Sequence, residues 1–81
     1  MKKAVFYSGR YCGPCIEMKE TIGADPALKK VIKVIDCDSK AGSKLADAAK
    51  IKVTPTFVRE DGKRLEGVPS AARLKKFLEG A

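Results

Sequence analysis

Apolar and polar positions follow one another in short bursts along the chain, and the period of each burst predicts an element. Residues 3–7, Lys-Ala-Val-Phe-Tyr, form a nearly continuous apolar run and predict a short buried strand. Ser8 to Gly13 breaks that run and reads as a loop. Pro14 suits the first turn of a helix, where its missing N–H costs nothing. Behind it Cys15, Met18 and Ile22 recur at helical spacing on one face, Glu17 and Glu20 point elsewhere, and Gly23 is a natural stop. Asp25-Pro26 predicts the cap and first turn of a brief helix.

Val31 to Asp38 reads as a second strand. Val31, Lys33, Ile35 and Cys37 lie on one side of its pleat and Ile32 and Val34 on the other, so both faces are expected to be covered, as in a parallel sheet. The Ala-rich residues 40–50 predict a helix, and Thr56 to Glu60 a third strand. Asp61-Gly62 is expected to form a two-residue hairpin turn, both positions tolerating positive φ, with Lys63 to Glu66 returning as strand four. Ser70 caps the last helix, and Leu74, Phe77 and Leu78 form its buried stripe.

The order β-α-β-α-β-β-α makes an α/β fold. A right-handed crossover makes the first two strands parallel, and the hairpin makes the last two antiparallel. A four-stranded mixed sheet with helices on both faces follows. The 81 residues suffice for a single domain, residues 1–81, with a thin core. No apolar run approaches the roughly 18–20 residues that cross a bilayer. Met1 to Tyr7 imitates a signal peptide, but Ser8, Gly9 and Arg10 cut it short, so a cytoplasmic chain without a leader is expected. The net charge of +7 would suit nucleic acid. The lysines and arginines are nevertheless spread along the chain, without interleaved aromatics, and read as a solvated surface.

Candidate chemistry lies in the cysteines. There are three, an odd number, and no histidine. In a reducing compartment a close pair is more often catalytic or metal-binding than structural. Tetrahedral zinc asks for four Cys or His ligands, which this chain lacks, so no metal site is expected. Cys12-Gly13-Pro14-Cys15 bridges the end of the first strand and the start of the first helix. Unpaired N–H groups and the helix dipole there favour a thiolate. Cys12 is the expected nucleophile, and Cys15, one turn inside on the core stripe, the shielded resolving thiol. Gly13 permits close approach of a substrate and Pro14 fixes the turn. Cys37 reads as a small core hydrophobe. Asp36 and Asp38 beside it read as solvated or paired with a lysine.

Tyr11-Cys12-Gly13-Pro14-Cys15 resembles the active site of the thioredoxins, with Tyr in the usual Trp place. Lys52-Val53-Thr54-Pro55-Thr56-Phe57 is similar to the segment that holds the family's cis-proline. Asp61-Gly62-Lys63 followed by Gly67 resembles its last hairpin and substrate-facing glycine. The likeness runs from Ala4 to about Leu78 and implies the thioredoxin fold, a cis Thr54-Pro55 bond, and a protein-disulfide reductase. It implies substrate contacts at Tyr11, Gly13, Pro14, Thr54, Pro55 and Gly67. It also implies disulfide-bonded proteins as substrates, recharging by a thioredoxin-reductase-type donor, a monomer, and no bound cofactor.

The chain departs from the family in two ways. Phe6 stands where thioredoxins commonly hold a buried Asp, and the extra N-terminal strand and helix of full-length thioredoxins have no counterpart. That length is glutaredoxin-like. Yet glutaredoxins usually carry Cys-Pro-Tyr-Cys and an acidic pair after the late glycines, where this chain has Val68-Pro69-Ser70-Ala71-Ala72. A glutathione-dependent glutaredoxin is the rival enzyme reading, and a basic accessory binding module the rival without redox turnover.

Overall fold

The computed structural model describes residues 1–80. The described elements are β1 (Ala4–Ser8), α1 (Gly13–Gly23), α2 (Pro26–Val31), β2 (Ile32–Asp36), α3 (Lys40–Ala48), β3 (Thr56–Arg59), β4 (Arg64–Glu66) and α4 (Ala71–Leu78). The strands form one mixed sheet in the order β2-β1-β3-β4. β1 pairs parallel with β2 and antiparallel with β3, and β3 pairs antiparallel with β4.

Each helix starts on a capping side chain. Cys12 Sγ accepts from Cys15 N–H at 3.2 Å, Asp25 Oδ1 from Ala27 N–H at 3.0 Å, Ser39 Oγ from Gly42 N–H at 2.9 Å and Ser70 Oγ from Arg73 N–H at 3.2 Å. A hydroxyl or carboxylate cap contributes about 1 kcal/mol, a large gain for helices of 6 to 11 residues.

The core lies on one face of the sheet. Phe6 and Phe57 are register partners in β1 and β3, and their rings stack with centroids 4.7 Å apart. Cys15, Met18 and Ile22 of α1, Leu28 of α2, and Leu74 and Leu78 of α4 close over them. Tyr7, on the opposite side of the β1 pleat, is buried as well. Gly42 and Ala46, the buried residues of α3, also lie outside the main cluster.

Four expectations are corrected. The second strand is shorter than Val31 to Asp38, because Val31 finishes α2 and Cys37 lies beyond the strand. It is also an edge strand, and neither of its faces is fully covered: Val34, on the same side of the pleat as buried Ile32, stays 44% exposed, and Lys33 on the other side is exposed. The hairpin turn is not of the two-residue type. Gly62 N–H donates to Arg59 O at 2.8 Å and Arg59 N–H to Lys63 O at 2.7 Å, and Gly62 alone in that turn has positive φ, at 91°. That is a three-residue loop, in which a type I turn feeds a left-handed glycine. Cys37, expected in the core, is a half-buried free thiol at the edge.

Arg59 is the buried side chain that no hydrophobic pattern announces. Only 4% exposed, it sits beside Ala4 on the core face. Its guanidinium donates twice to the Asp61 carboxylate, at 2.8 and 2.7 Å, and once to Phe77 O at 2.6 Å. It also lies over the Phe77 ring, 5.1 Å from the centroid. The hairpin is thereby tied to the end of α4.

Candidate active site

The first βα junction carries two sulfurs in unlike surroundings. Cys12 is the N-cap of α1, and Cys15 is completely buried on its core-facing stripe. The two form a disulfide across a Cα–Cα distance of 5.2 Å. Besides the Cys15 N–H donated to Cys12 Sγ, Gly9 N–H points at Cys15 Sγ at 3.5 Å. Backbone N–H groups thus aim at both sulfurs, where a thiolate would sit. Gly13 and Pro14, between the cysteines, are exposed, and Tyr11 before them is 93% exposed.

The loop is held by two acids expected to be solvated or paired with a lysine. Asp38 Oδ2 accepts from Arg10 N–H, and Asp36 Oδ2 pairs with the Arg10 guanidinium at 3.1 Å. Both carboxylates come from the end of β2, so the parallel β1–β2 pair anchors the segment leading to Cys12. Asp38 N–H, with Arg10 beside it, holds the Asp36 carboxyl below its ordinary range. Burial, then the charges of Asp38 and Asp36, push the Cys37 thiol up. The partner of Asp36 is Arg10, rather than solvent or a lysine.

A second loop meets the first. The Thr54-Pro55 peptide is cis, and Pro55 is buried beneath an exposed Thr54. An ideal Cβ placed on Gly9 would lie 3.2 Å from Thr54 Oγ1, 3.3 Å from Cys12 Cβ and 3.8 Å from Asp38 Oδ2. Three segments therefore converge on Gly9, which keeps them close by having no side chain. Gly67, at φ 94°, donates its N–H to Pro55 O at 3.1 Å and so joins the same edge. The sequence-predicted residues Cys12, Cys15, Thr54, Pro55 and Gly67 thus gather at one end of the sheet.

Exposed apolar side chains adjoin each of these segments. Tyr11 precedes Cys12, Ile16 follows Cys15, Val53 precedes Thr54, and Val68 follows Gly67; the last three are 44–56% exposed. Sequence reasoning missed Ile16, Val53 and Val68. The signal available was their position next to motif residues, off the buried face of each element.

Among the described residues no cluster of three or more Cys, Asp or Glu is gathered as metal ligands, and no helix is long and apolar enough to cross a membrane. A disulfide between the cap of a helix and its first turn, beside a cis-proline, is the arrangement to compare with known proteins. The model of the thioredoxin-like domain matches residues 1–81. The chain belongs to this family. Its fold and its close cysteine pair are those of a thiol–disulfide oxidoreductase.

Solved thioredoxins share the architecture of this thioredoxin-like chain. A thioredoxin from Thermus thermophilus is 25% identical, with 95% of this chain and 70% of that one covered and a TM-score of 0.74. The thioredoxin of Fasciola hepatica is 22% identical, with 95% and 77% covered and a TM-score of 0.77. Oxidised mitochondrial thioredoxin 3 from Saccharomyces cerevisiae is 21% identical, with 99% and 78% covered and a TM-score of 0.73. No curated protein matches the chain in sequence.

Proposed function

We propose that this thioredoxin-like protein reduces protein disulfides with the Cys12–Cys15 dithiol. The observation that carries the reading is the contrast between the two sulfurs. Cys12 caps α1 and accepts a helix N–H, whereas Cys15 is fully buried behind it. A thiolate is the attacking form, and a helix N-terminus favours that anion.

The Cys12 thiolate attacks one sulfur of a substrate disulfide. The substrate S–S bond breaks, one substrate sulfur leaves as a thiolate, and Cys12 holds the other as a mixed disulfide. The Cys15 thiol then loses its proton and attacks Cys12 Sγ. The mixed bond breaks, the second substrate thiolate departs, and Cys12–Cys15 is left oxidised. Two electrons and two protons from a donor restore the dithiol. A flavin-dependent reductase of the thioredoxin-reductase type is the proposed donor, in a cytoplasmic setting.

The exposed backbone around Thr54 offers hydrogen bonds to an extended substrate segment, as in β-strand addition. Tyr11, Gly13, Pro14, Pro55 and Gly67 frame that segment, and Ile16, Val53 and Val68 supply apolar contact.

The test is insulin reduction, followed by precipitation of the freed chains, with either NADPH and thioredoxin reductase or glutathione and glutathione reductase as donor. Turnover with thioredoxin reductase, abolished in Cys12→Ser, is the expected result. Efficient turnover by glutathione alone would make the protein a glutaredoxin. No turnover with either donor would leave a binding module.

A further inference from the structure

Ser8 closes β1 and is completely buried. Among the described residues its Oγ is the one buried side-chain oxygen or nitrogen without a hydrogen-bond partner. Leaving a buried hydroxyl unpaired is unfavourable, so such a group calls for a physical explanation. Strand alternation puts Ser8 on the same sheet face as Ala4 and Phe6, the face whose core cluster includes Cys15. The peptide that follows Ser8 carries the Gly9 N–H, which points at Cys15 Sγ. The hydroxyl therefore branches from the Cα of the peptide unit that touches the resolving sulfur.

Among the buried residues of the core cluster that holds Cys15 none is charged; the others are Ala4, Phe6, Met18, Ile22, Leu28, Ile32, Phe57, Leu74 and Leu78, all apolar. Asp38, the carboxylate nearest the loop, is occupied by Arg10 N–H. In the disulfide state Cys15 Sγ is a weak acceptor and has no proton to give. Once reduced it becomes a thiol or a thiolate, and a thiolate accepts strong, charge-assisted hydrogen bonds.

We propose that Ser8 is the positioning residue for Cys15, its hydroxyl donating a hydrogen bond to that sulfur only after the disulfide opens. The idea rests on the dithiol chemistry proposed above. In resolution the Cys15 proton goes to solvent, and the thiolate, held by Ser8 Oγ–H and Gly9 N–H, attacks Cys12 Sγ. The bond from Cys12 to the substrate sulfur breaks as Cys12–Cys15 forms, and the substrate thiolate takes up a proton. Ser8 keeps its own proton throughout. The oxidised state leaves the hydroxyl unpaired, and the reduced state satisfies it.

This account predicts which redox state Ser8 favours. Ser8→Ala removes an unpaired hydroxyl from the oxidised form and a hydrogen bond from the reduced form, so both changes favour the disulfide. Ser8→Thr keeps the hydroxyl.

The experiment equilibrates wild type, Ser8→Ala and Ser8→Thr with glutathione redox buffers and counts oxidised Cys12–Cys15 by alkylation and mass spectrometry. At a fixed buffer, Ser8→Ala is expected to raise the oxidised-to-reduced ratio about three- to tenfold, in keeping with one net hydrogen bond. Tenfold corresponds to a potential about 30 mV more negative. Ser8→Thr is expected to stay within about twofold of wild type, the hydroxyl being retained.

A purely structural Ser8 would change the stability of both redox forms alike and leave the ratio unmoved. An unchanged ratio in Ser8→Ala, or a Ser8→Thr shift as large as that of Ser8→Ala, would overturn the proposal. The ratio is read on the protein's own cysteines, so it is obtained whether or not insulin is turned over. Failure of the insulin assay would defeat the reductase reading and leave this result separate.

Discussion

At the residue scale, the account rests on how differently three cysteines of one chain are placed. Cys12 caps a helix, Cys15 is sealed behind it, and Cys37 is half-buried next to two carboxylates. Burial and the charges of Asp38 and Asp36 both raise the Cys37 thiol above its ordinary range. At pH 7 its thiolate fraction is then below the few per cent of a free cysteine. In the fully reduced native protein, limiting iodoacetamide is expected to label Cys12 first and Cys37 at least about tenfold more slowly. Peptide mapping over time checks the order, and labelling of Cys37 as fast as Cys12 would contradict it.

Asp61 gives a second residue-scale test. The paired Arg59 guanidinium lowers its carboxyl to about 2. An unfolded Asp titrates near 3.9. A folded value below the unfolded one contributes stability that is complete above about pH 4 and lost as pH falls through about 2. Asp61→Asn is therefore expected to be less stable than wild type at pH 7, with the gap closing on acidification toward pH 2. Urea midpoints across that range measure it, and a gap independent of pH would contradict the pairing.

At the element scale, close packing of α3 on the end of β2 fixes where Asp36 and Asp38 stand. A Cβ on Gly42 would lie 1.7 Å from the carbonyl oxygen of Asp36, a contact that only displacement of the helix relieves. Gly42→Ala is expected to cost about 1–3 kcal/mol, in the range of overpacked sites, even though alanine is the better helix former. A urea titration checks the sign, and a stabilised variant would show that α3 slides freely. The same substitution should slow disulfide reduction, because the displaced carboxylates no longer hold Arg10.

The elements were legible where a local rule decides them. Pro14 after Cys12, Asp25-Pro26 and Ser70 mark helix starts through backbone chemistry within one turn, and each predicted helix begins there. The hairpin and the second strand were misjudged because their outcome depends on distant residues. Arg59 reaches across to Phe77, 18 residues on, and the edge position of β2 follows from what pairs with β1. An Arg in a strand pattern carries no sign that it will be buried, and an orphaned Ser8 hydroxyl appears only once its neighbours are known.

At the scale of the whole molecule, one end of the sheet gathers Cys12, Thr54, Pro55 and Gly67 from three motifs that are separated in sequence, and the fold explains why they meet. β1 and β3 are neighbours, so the loop after one and the loop before the other share an end. The net charge is +7, and among the described residues every lysine and arginine except the buried Arg59 reaches the surface. The Cys-Gly-Pro-Cys dithiol is expected to have a potential nearer −270 mV than the roughly −200 to −230 mV of glutaredoxins. Equilibration against glutathione buffers measures it, and a value more positive than about −230 mV would favour the glutaredoxin alternative.

The central claim is that Cys12 attacks a protein disulfide and Cys15 resolves the product. Its most direct test is to incubate reduced Cys15→Ser with a disulfide-bonded protein such as insulin, quench with acid, and map the covalent adduct by mass spectrometry. The account predicts one mixed disulfide per molecule, joined through Cys12, that accumulates because no thiol is placed to release it. In wild type the adduct is fleeting and the Cys12–Cys15 disulfide takes its place. An adduct joined through Cys37, or no adduct under conditions where wild type becomes oxidised, would contradict the account.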